Sequence, residues 1–416
     1  ENGWISIFRK LDNGIYWDDN INISPVAGGL VSAQLSPGSY RIEVNGESTL
    51  GLNMKNFDLE VPNSGSASLT YNGTVVPLES SRFTVSPLPS NLQGRIVRVD
   101  SSGTKSPIIP GENSWVNINL QKQAPDNSWV WSSAWANTDS GGKFSLAVPE
   151  DGTFRLRVEP MGNENAALTY SQPFTVAANE LSTFSKDLGD IAMDSPLTKI
   201  KIAAPNSEVQ NWVGIAVTNQ QDGKWVDWLT TGPKGVAAIP QLADGKYTFE
   251  IYPNDVAQGL GAARKRYTYT VATSGGVKSG AIAADPGAST ANGYVTLQFG
   301  SGTLTGFVKS PDGTSNVAYA NVVPVDVSTN RELWEYSSTS NFDGKFVLSL
   351  PQGTYKVKAI QPWGNTLYGS SALIGNIEVG ANGSVTSLIG DALDGYSGTQ
   401  RTAGTFDIRL KNPTWS

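Results

Sequence analysis

The chain has 416 residues, of which 39% are hydrophobic and 16% charged, and its formal net charge is −7. It contains neither cysteine nor histidine, which excludes disulfides, thiolate chemistry, histidine-ligated zinc and serine–histidine catalysis. No basic patch stands out and no apolar run is long enough to span a bilayer, so we expect neither nucleic-acid binding nor a membrane span. We also expect no enzyme activity, no cofactor and no metal site.

The composition favours a protein built from short strands. The chain has 44 glycines and 23 prolines, apolar residues often alternate with polar ones, and no stretch has a convincing helical period. Its length suggests three or four domains at the usual size of roughly 100–150 residues. An acidic, cysteine-free β chain of this kind is typical of exported bacterial surface proteins, so we expect an extracellular, cell-surface location.

One phrase occurs four times along the chain: a glycine, any residue, an aromatic residue and then an alternating strand. The aromatic residues Tyr40, Phe154, Tyr247 and Tyr355 are spaced 114, 93 and 108 residues apart. Self-similarity at this period indicates tandem domains. Turn signals and alternating stretches fill each interval, so we predict an all-β tandem array of four antiparallel, Ig-like β-sandwich domains of seven or eight strands each.

The same landmarks give the domain boundaries. Repeats 1 to 4 are assigned to residues 1–90, 91–195, 196–300 and 301–403, and residues 404–416 to the first strand of a following repeat. In this alignment repeat 1 has no first strand of its own. Prolines and nearly continuous strand patterns at the joints predict that neighbouring repeats are held semi-rigidly.

Tryptophan recurs at one matching position in each repeat, upstream of the glycine–aromatic phrase. These residues are Trp17, Trp129, Trp225 and Trp334. We expect them to anchor the cores, because large aromatic side chains supply much of the buried area of a sandwich.

Three further tryptophans, Trp135, Trp228 and Trp363, are candidate carbohydrate-binding residues that would stack on sugar rings. Packing between domains or between protomers is one alternative for them. Ordinary burial at the rim of a domain is the other.

The two ends of the chain match each other. The segment 407–410 followed by Pro413 has the pattern of 199–202 followed by Pro205, and joining the ends places Trp4 in register. Either the chain is one period of a longer tandem array, or the terminal segment completes the first domain of the next subunit by β-strand addition. Coincidence is the remaining alternative. The predicted polymer junction consists of Phe406, Ile408, Leu410, Pro413 and Trp4.

Two segments carry a longer motif. Residues 138–146 read Thr-Asp-Ser-Gly-Gly-Lys-Phe-Ser-Leu and residues 341–348 read Asn-Phe-Asp-Gly-Lys-Phe-Val-Leu, each followed by a proline and the glycine–aromatic phrase. This motif resembles the carboxypeptidase regulatory-like repeat, a transthyretin-like β-sandwich common in bacterial surface proteins. The resemblance implies a transthyretin-like fold, a surface or accessory role, and no catalytic residue. Repeats 1 and 3 keep only the glycine–tyrosine half.

Neither an internal lysine–asparagine cross-link nor a calcium site is favoured by the sequence. A related family, the collagen-adhesin B-type domains of pilins, joins a lysine to an asparagine beside an acidic residue, and Lys199 and Glu250 would have to align for this here. Acidic residues near two joints suggest calcium, but their spacing matches no known loop, and solvated acidic turns are the preferred interpretation. They are Asp187, Asp190, Asp194, Asp391 and Asp394.

The predicted function is structural. We expect an extracellular repeat protein that forms a semi-rigid stalk or filament at a bacterial cell surface, as part of an adhesin, a biofilm or a fibre. Its expected partners are copies of itself, in tandem or head to tail. The alternative is an array of carbohydrate-binding modules that recognises surface glycans through exposed aromatic residues.

Overall fold

The computed structural model is nearly all β, and its contacts divide the chain into two units, Glu1–Ser195 and Pro196–Ser416, each of which is described by itself. The structure describes residues 4–10, 16–23, 29–46, 52–100, 102–108, 115–162, 165–362, 367–371, 373–381, 384–388 and 407–412. Strand pairing groups these residues into four sets, which we call repeats 1 to 4.

Repeat 1 is built on one six-stranded antiparallel sheet in the order β2-β1-β3-β5-β6-β7. Its strands are β1 (Trp4–Lys10), β2 (Tyr16–Ile23), β3 (Gly38–Asn45), β4 (Leu52–Asn53), β5 (Lys55–Val61), β6 (Ser68–Tyr71), β7 (Thr74–Val76), β8 (Leu78–Glu79), β9 (Arg82–Phe83) and β10 (Leu88–Pro89). Strict alternation in β3 buries Tyr40, Ile42 and Val44 on one face, as period-2 patterning requires.

Repeat 2 has two sheets, one with β12, β11, β15 and β19 and one with β14, β13, β16, β17 and β18. Its strands are β11 (Leu92–Val99), β12 (Lys105–Pro107), β13 (Trp115–Gln123), β14 (Trp129–Asn137), β15 (Lys143–Leu146), β16 (Gly152–Met161), β17 (Thr169–Tyr170), β18 (Phe174–Val176) and β19 (Lys186–Met193). Leu92 and Ile96 of the first sheet share one core with Val116 and Phe154 of the second, which makes this a β-sandwich.

Repeat 3 opens the second unit and also has two main sheets, β23-β20-β29-β28 and β22-β21-β24-β26-β27. Its strands are β20 (Ile200–Ala203), β21 (Gly214–Asn219), β22 (Trp225–Thr230), β23 (Val236–Ala237), β24 (Gly245–Tyr252), β25 (Ala262–Ala263), β26 (Lys265–Ser274), β27 (Val277–Ile282), β28 (Ala288–Ala291), β29 (Tyr294–Gln298) and β30 (Gly300–Ser301). One short helix, α1 (Asp255–Gly259), is capped by the Asn254 side chain.

Repeat 4 repeats the arrangement with sheets β35-β31-β39 and β33-β32-β36-β37-β38, where β34 also pairs with β32. Its strands are β31 (Leu304–Lys309), β32 (Asn321–Asp326), β33 (Arg331–Glu332), β34 (Ser338–Thr339), β35 (Lys345–Leu348), β36 (Gly353–Ile360), β37 (Ile374–Val379), β38 (Val385–Leu388) and β39 (Ile408–Arg409), with a 3₁₀ turn at Trp334–Tyr336. Both sheets contribute to one buried core.

In repeats 2, 3 and 4 the first strand lies beside a strand near the end of the same repeat and runs parallel to it, and we call these two strands the terminal pair; in repeat 3 only the two-residue β30 follows the pair. The terminal pairs are β11 with β19, β20 with β29, and β31 with β39. Every other strand pairing in the described residues is antiparallel. The predicted all-β sandwich class is confirmed, whereas the parallel terminal pair departs from the predicted antiparallel pairing.

The glycine–aromatic phrase fastens the start of one strand in each repeat. The hydroxyls of Tyr40, Tyr247 and Tyr355 each donate to a backbone carbonyl four residues upstream, at 2.7, 2.9 and 3.1 Å. The glycine two residues before each tyrosine has a positive φ that disfavours other residues, such as +155° at Gly245. Repeat 2 has the fully buried Phe154 instead, so it keeps the packing without the hydroxyl bond.

A buried hydroxyl is repeated in the two-sheet domains of the second unit. Thr231 accepts from the backbone N–H of Val213 at 3.0 Å and donates to the carbonyl of Gln210 at 3.2 Å. Ser340 makes the corresponding pair of bonds with Ala320 and Val317, both at 2.9 Å. Each hydroxyl bonds two backbone groups of the loop that precedes a central strand, β21 in repeat 3 and β32 in repeat 4. These buried backbone groups therefore have hydrogen-bond partners.

The prediction that tryptophans anchor the cores is wrong. None of the tryptophans whose side chains the structure describes is buried, and Trp225 is 51% exposed and Trp334 48%, so tryptophans do not anchor the cores. Aliphatic residues, phenylalanine and tyrosine fill them instead. Trp17 lies outside the residues whose side chains are described.

The terminal segment also differs from its assignment to a following repeat. Ile408 and Arg409 pair in parallel with β31, and Ile408 and Leu410 are buried in the core of repeat 4. The alternation of two apolar residues fits a first strand or a last strand equally well, which explains the wrong assignment of these residues. The other proposed boundaries stay predictions.

Replacing Thr231 with valine tests the buried hydroxyl. The isosteric side chain leaves the Val213 N–H and the Gln210 carbonyl without their partner, and each such group costs about 1–3 kcal/mol. We expect a lower urea midpoint for repeat 3, identified by faster hydrogen exchange of its amides in the full chain. Thr231→Ser is the control and should behave like the native protein; equal stability of the two variants would contradict this role.

Candidate interaction surfaces

The outward face of the β14 sheet in repeat 2 presents a row of three indoles. Trp129, Trp131 and Trp135 lie opposite Gln123, Gln121 and Asn119 of β13. These partners are two residues apart, so the indoles follow one another at about 7 Å along the strand direction. A bulge between Trp131 and Trp135 absorbs the two extra residues of β14. Trp131 and Trp135 are 50% and 49% exposed.

Amide side chains run beside the indoles on the same face. Asn117, Asn119 and Gln121 alternate with the fully buried inward residues of β13. Asn117 accepts a hydrogen bond from the indole Nε1 of Trp115 at 2.8 Å. The face therefore combines flat apolar rings with groups that can both donate and accept hydrogen bonds.

Two arginines of β16 each hold one of these indoles in place, Arg155 that of Trp129 and Arg157 that of Trp131. The guanidinium of Arg155 lies 4.5 Å from the ring centre of Trp129 and 3.9 Å from that of Tyr170, and its Nε donates to Gln121 at 2.9 Å. Stacking between two rings fixes both the cation and the indole.

The neighbouring arginine is buried as part of an ion pair. Arg157 donates to the Glu159 carboxylate at 2.8 Å, and its guanidinium lies 5.1 Å from the ring centre of Trp131. Both charged side chains are almost inaccessible to water although they are on the outward face. Separating the two charges would leave one of them buried without a partner, so the ion pair stays intact. The Arg157 guanidinium is therefore a fixed support for the Trp131 indole.

Repeat 3 has a related face with different neighbours. Trp225 and Trp228 lie opposite Thr218 and Ala216 of β21, where repeat 2 has amides. The indole of Trp228 lies across Gly214, where an added Cβ would be 2.1 Å from Cζ2. The ring also packs against Tyr252, with 5.1 Å between ring centres.

Charged residues cover the rest of that face. Arg264 stacks on Tyr252 at 4.1 Å and Glu250 pairs with Arg266 at 3.3 Å. Burial lowers the pKa of the Arg264 guanidinium. In repeat 4, the indole Nε1 of Trp334 donates to Glu332, which also binds Lys358.

The structure describes two of the three predicted carbohydrate-binding residues, and these two belong to different repeats. Trp135 lies with Trp131 and Trp129 in repeat 2, Trp228 lies in repeat 3, and Trp363 is outside the described residues. Sequence reasoning missed the supporting polar residues. The alternation of amides in 115–123 and of arginines in 153–159 was the available signal, because residues two apart share a face.

The predicted polymer-junction residues are distributed over both units, and the structure describes three of the five. Trp4 is half exposed at the start of β1 in the first unit, whereas Ile408 and Leu410 are buried in the second. Phe406 and Pro413 lie outside the described residues. The backbone of residues 410–411 is bonded on two sides, with Leu410 donating to Lys309 and Lys411 bridging to Gly369.

The joint between repeats 3 and 4 is bridged by direct contacts. The guanidinium of Arg264 donates to the carbonyl of Trp334 at 3.3 Å, and the Lys345 ammonium donates to the carbonyl of Gly259 at 3.4 Å. Close approach also leaves no room at Gly302, where a Cβ would be 2.3 Å from Val347. These contacts limit movement of one repeat against the other.

The residues considered for a cross-link and for calcium have other partners. Lys199 lies 5.8 Å from the Tyr294 ring centre, while Glu250 pairs with Arg266. Asp190 binds Arg95 at 2.8 Å, and this hydrogen bond holds the pKa of the carboxyl below its usual value. Among the residues that the structure describes, no group of three acidic side chains could hold a metal ion.

No protein-family model and no curated protein matches the chain. The carboxypeptidase regulatory-like resemblance therefore stays a prediction. In the described part of the chain no helix has the length and hydropathy needed to cross a bilayer.

Solved structures that resemble this chain include bacterial pilins. The TIE protein of Bacillus anthracis is 13% identical, with 99% of this chain and 69% of that one covered and a TM-score of 0.18. The major pilin subunit BcpA of Bacillus cereus is 10% identical, with 77% of this chain and 99% of that one covered and a TM-score of 0.17. The shaft pilin spaA of Lactobacillus rhamnosus GG is 11% identical, with 79% of this chain and 99% of that one covered and a TM-score of 0.19. Scores this low carry no argument about function.

Substitution of Gly214 tests the position of the Trp228 indole. In Gly214→Ala the new methyl group occupies the place of the ring, so we expect the indole to move outward and its oxidation by hydroxyl radicals, read by mass spectrometry, to rise severalfold. Gly259→Ala is the matched control because a Cβ there meets nothing within 4 Å. Unchanged oxidation of Trp228 in Gly214→Ala would contradict the described packing.

Proposed function

We propose that this chain is a load-bearing segment of an extracellular stalk or filament at a bacterial cell surface. The observation that carries the proposal is the terminal pair of repeats 2, 3 and 4. Because the two strands of the pair run parallel, the chain enters a repeat at one end of the pair and leaves it at the other. Tension along the chain then pulls the two strands past each other.

This geometry matters because it decides how hydrogen bonds break. When two parallel strands are pulled in opposite directions along their length, all the bonds between them are loaded together. When strands are peeled apart from one end, the bonds break one at a time. A repeat with a terminal pair therefore resists stretching more than its thermodynamic stability alone would suggest.

The contacts between repeats 3 and 4 support the same role. Arg264, Lys345 and the close packing at Gly302 connect these repeats directly, so force would pass between neighbours with little slack.

Association with further copies of the chain, in tandem or head to tail, is part of the proposal. In its described residues repeat 1 has one large sheet, whereas repeats 2 to 4 have two. Phe83 and Val85 are partly buried and pack against its core. A first strand from another repeat would complete this sandwich by β-strand addition. The buried Ile408 and Leu410 argue against residues 407–410 as the donor.

The terminal pairs differ in length, and this gives an ordered prediction. The β11–β19 ladder spans six paired positions and the β20–β29 ladder four. In single-molecule stretching of the full chain, we expect repeat 2 to unfold at a higher force than repeat 3.

Ile191→Pro, which removes one amide from β19, should lower the force of repeat 2 strongly. Leu156→Ala in the opposite sheet is the matched control, since it costs about 2–5 kcal/mol of stability but leaves the ladder intact. If both variants lower the force equally, the terminal pair does not bear the load.

A further inference from the structure

We propose that the outward face of the β14 sheet in repeat 2 is a binding site for a linear polysaccharide of neutral sugars. The proposal is independent of the load-bearing role and commits to one of the three predicted tryptophans, Trp135, together with residues around it. The site consists of Trp129, Trp131, Trp135, Asn117 and Asn119.

The spacing of the indoles points to a repeating ligand. Three rings follow one another at about 7 Å, opposite Gln123, Gln121 and Asn119. One face of a sugar ring carries C–H groups and is apolar, so it packs on an indole and removes both surfaces from water. A polymer can place successive rings on successive indoles, which a single small molecule cannot do.

The polar side chains beside the rings suit sugar hydroxyls. Asn117 and Asn119 are partly exposed next to the indoles, and an amide both donates and accepts hydrogen bonds, as a hydroxyl does. A purely apolar partner, such as the core-like surface of another protein domain, would bury these amides without partners at a cost of about 1–3 kcal/mol each.

The charges on this face favour a neutral ligand. Arg157 is neutralised by the buried Glu159, and Arg155 is held between two aromatic rings and bonded to Gln121. Both guanidinium groups already serve the protein itself. An anionic polymer would therefore find little exposed positive charge here, in a chain whose net charge is −7.

The site is fixed before any ligand arrives. Stacking on Arg155 and Arg157 restrains Trp129 and Trp131, so binding does not have to pay for ordering these side chains. The Trp131 indole is half exposed although Arg157 holds it in place, so it keeps apolar surface in water, which marks an interaction site more than a packing defect.

Repeat 3 is an internal control. Its Trp225 and Trp228 occupy matching positions, but Gly214, Ala216 and Thr218 replace the amides. Trp228 also packs on Tyr252 and across Gly214. We therefore expect repeat 3 to contribute little to polysaccharide binding although its tryptophans are also exposed.

The test is affinity electrophoresis and calorimetry of the full chain with soluble β-glucan, xylan, galactomannan and mannan, and with polygalacturonate as the anionic comparison. We expect at least one neutral polymer to bind. Trp135→Ala and Trp131→Ala should each weaken it about tenfold, the effect of losing roughly 1.4 kcal/mol at a central aromatic contact. Asn119→Ala should weaken it less.

The matched controls are Trp225→Ala and Trp228→Ala, which should leave binding unchanged. Circular dichroism of each variant verifies folding, and Trp135→Phe, which keeps a smaller ring, should retain part of the affinity. Binding of none of the neutral polymers, equal loss in the repeat 3 variants, or tighter binding to polygalacturonate would each overturn the proposal. Self-association that Trp135→Ala abolishes, without polysaccharide binding, would instead assign this face to a second copy of the chain.

Discussion

The parallel terminal pair is the constraint on which the rest of this structure depends. In repeats 2 to 4 the two strands of this pair lie side by side in one sheet, so the chain enters and leaves at opposite ends of the pair. The second sheet then covers the apolar side of the first, and both sheets contribute to one core in repeats 2 and 4. Tandem repetition follows because each repeat ends where another can begin.

The local features of this fold could be predicted from the sequence, and the long-range ones could not. The glycine–tyrosine phrase predicted strand starts correctly because its positive φ and its hydroxyl bond are both local. The terminal pair joins residues such as Arg95 and Asp190, 95 positions apart. Nothing in the pattern of either strand distinguishes a parallel from an antiparallel partner, so neither the pair nor the true place of Ile408 was predicted.

The tryptophans illustrate a second limit. Period-2 alternation gives two faces to every strand, but it does not say which face is buried when both carry large residues. In β14 the inward positions are Ala134 and Ala136, while the indoles of Trp129 and Trp131 lie outward against arginines. Hydrophobicity alone therefore placed Trp129 and Trp225 in the core, where smaller aliphatic side chains are found. The exposed candidate Trp135 was predicted, but the arginine and amide residues that support this surface were not.

The two proposals assign different work to the two sheets of repeat 2. The sheet with the terminal pair would carry force, and the outward face of the other sheet would hold a polysaccharide. Separation of this kind lets a surface bind without disturbing the strands under load.

Pulling repeat 2 in two directions would test the load-bearing account most directly. Because the chain has no cysteine, introduced cysteines are unique attachment points. Ser90→Cys with Asp194→Cys loads β11 against β19 along their length, whereas Ser90→Cys with Glu150→Cys, in the exposed turn after β15, peels β11 from its antiparallel neighbour β15. The account predicts a severalfold higher unfolding force for the first pair; equal forces in the two directions would contradict it.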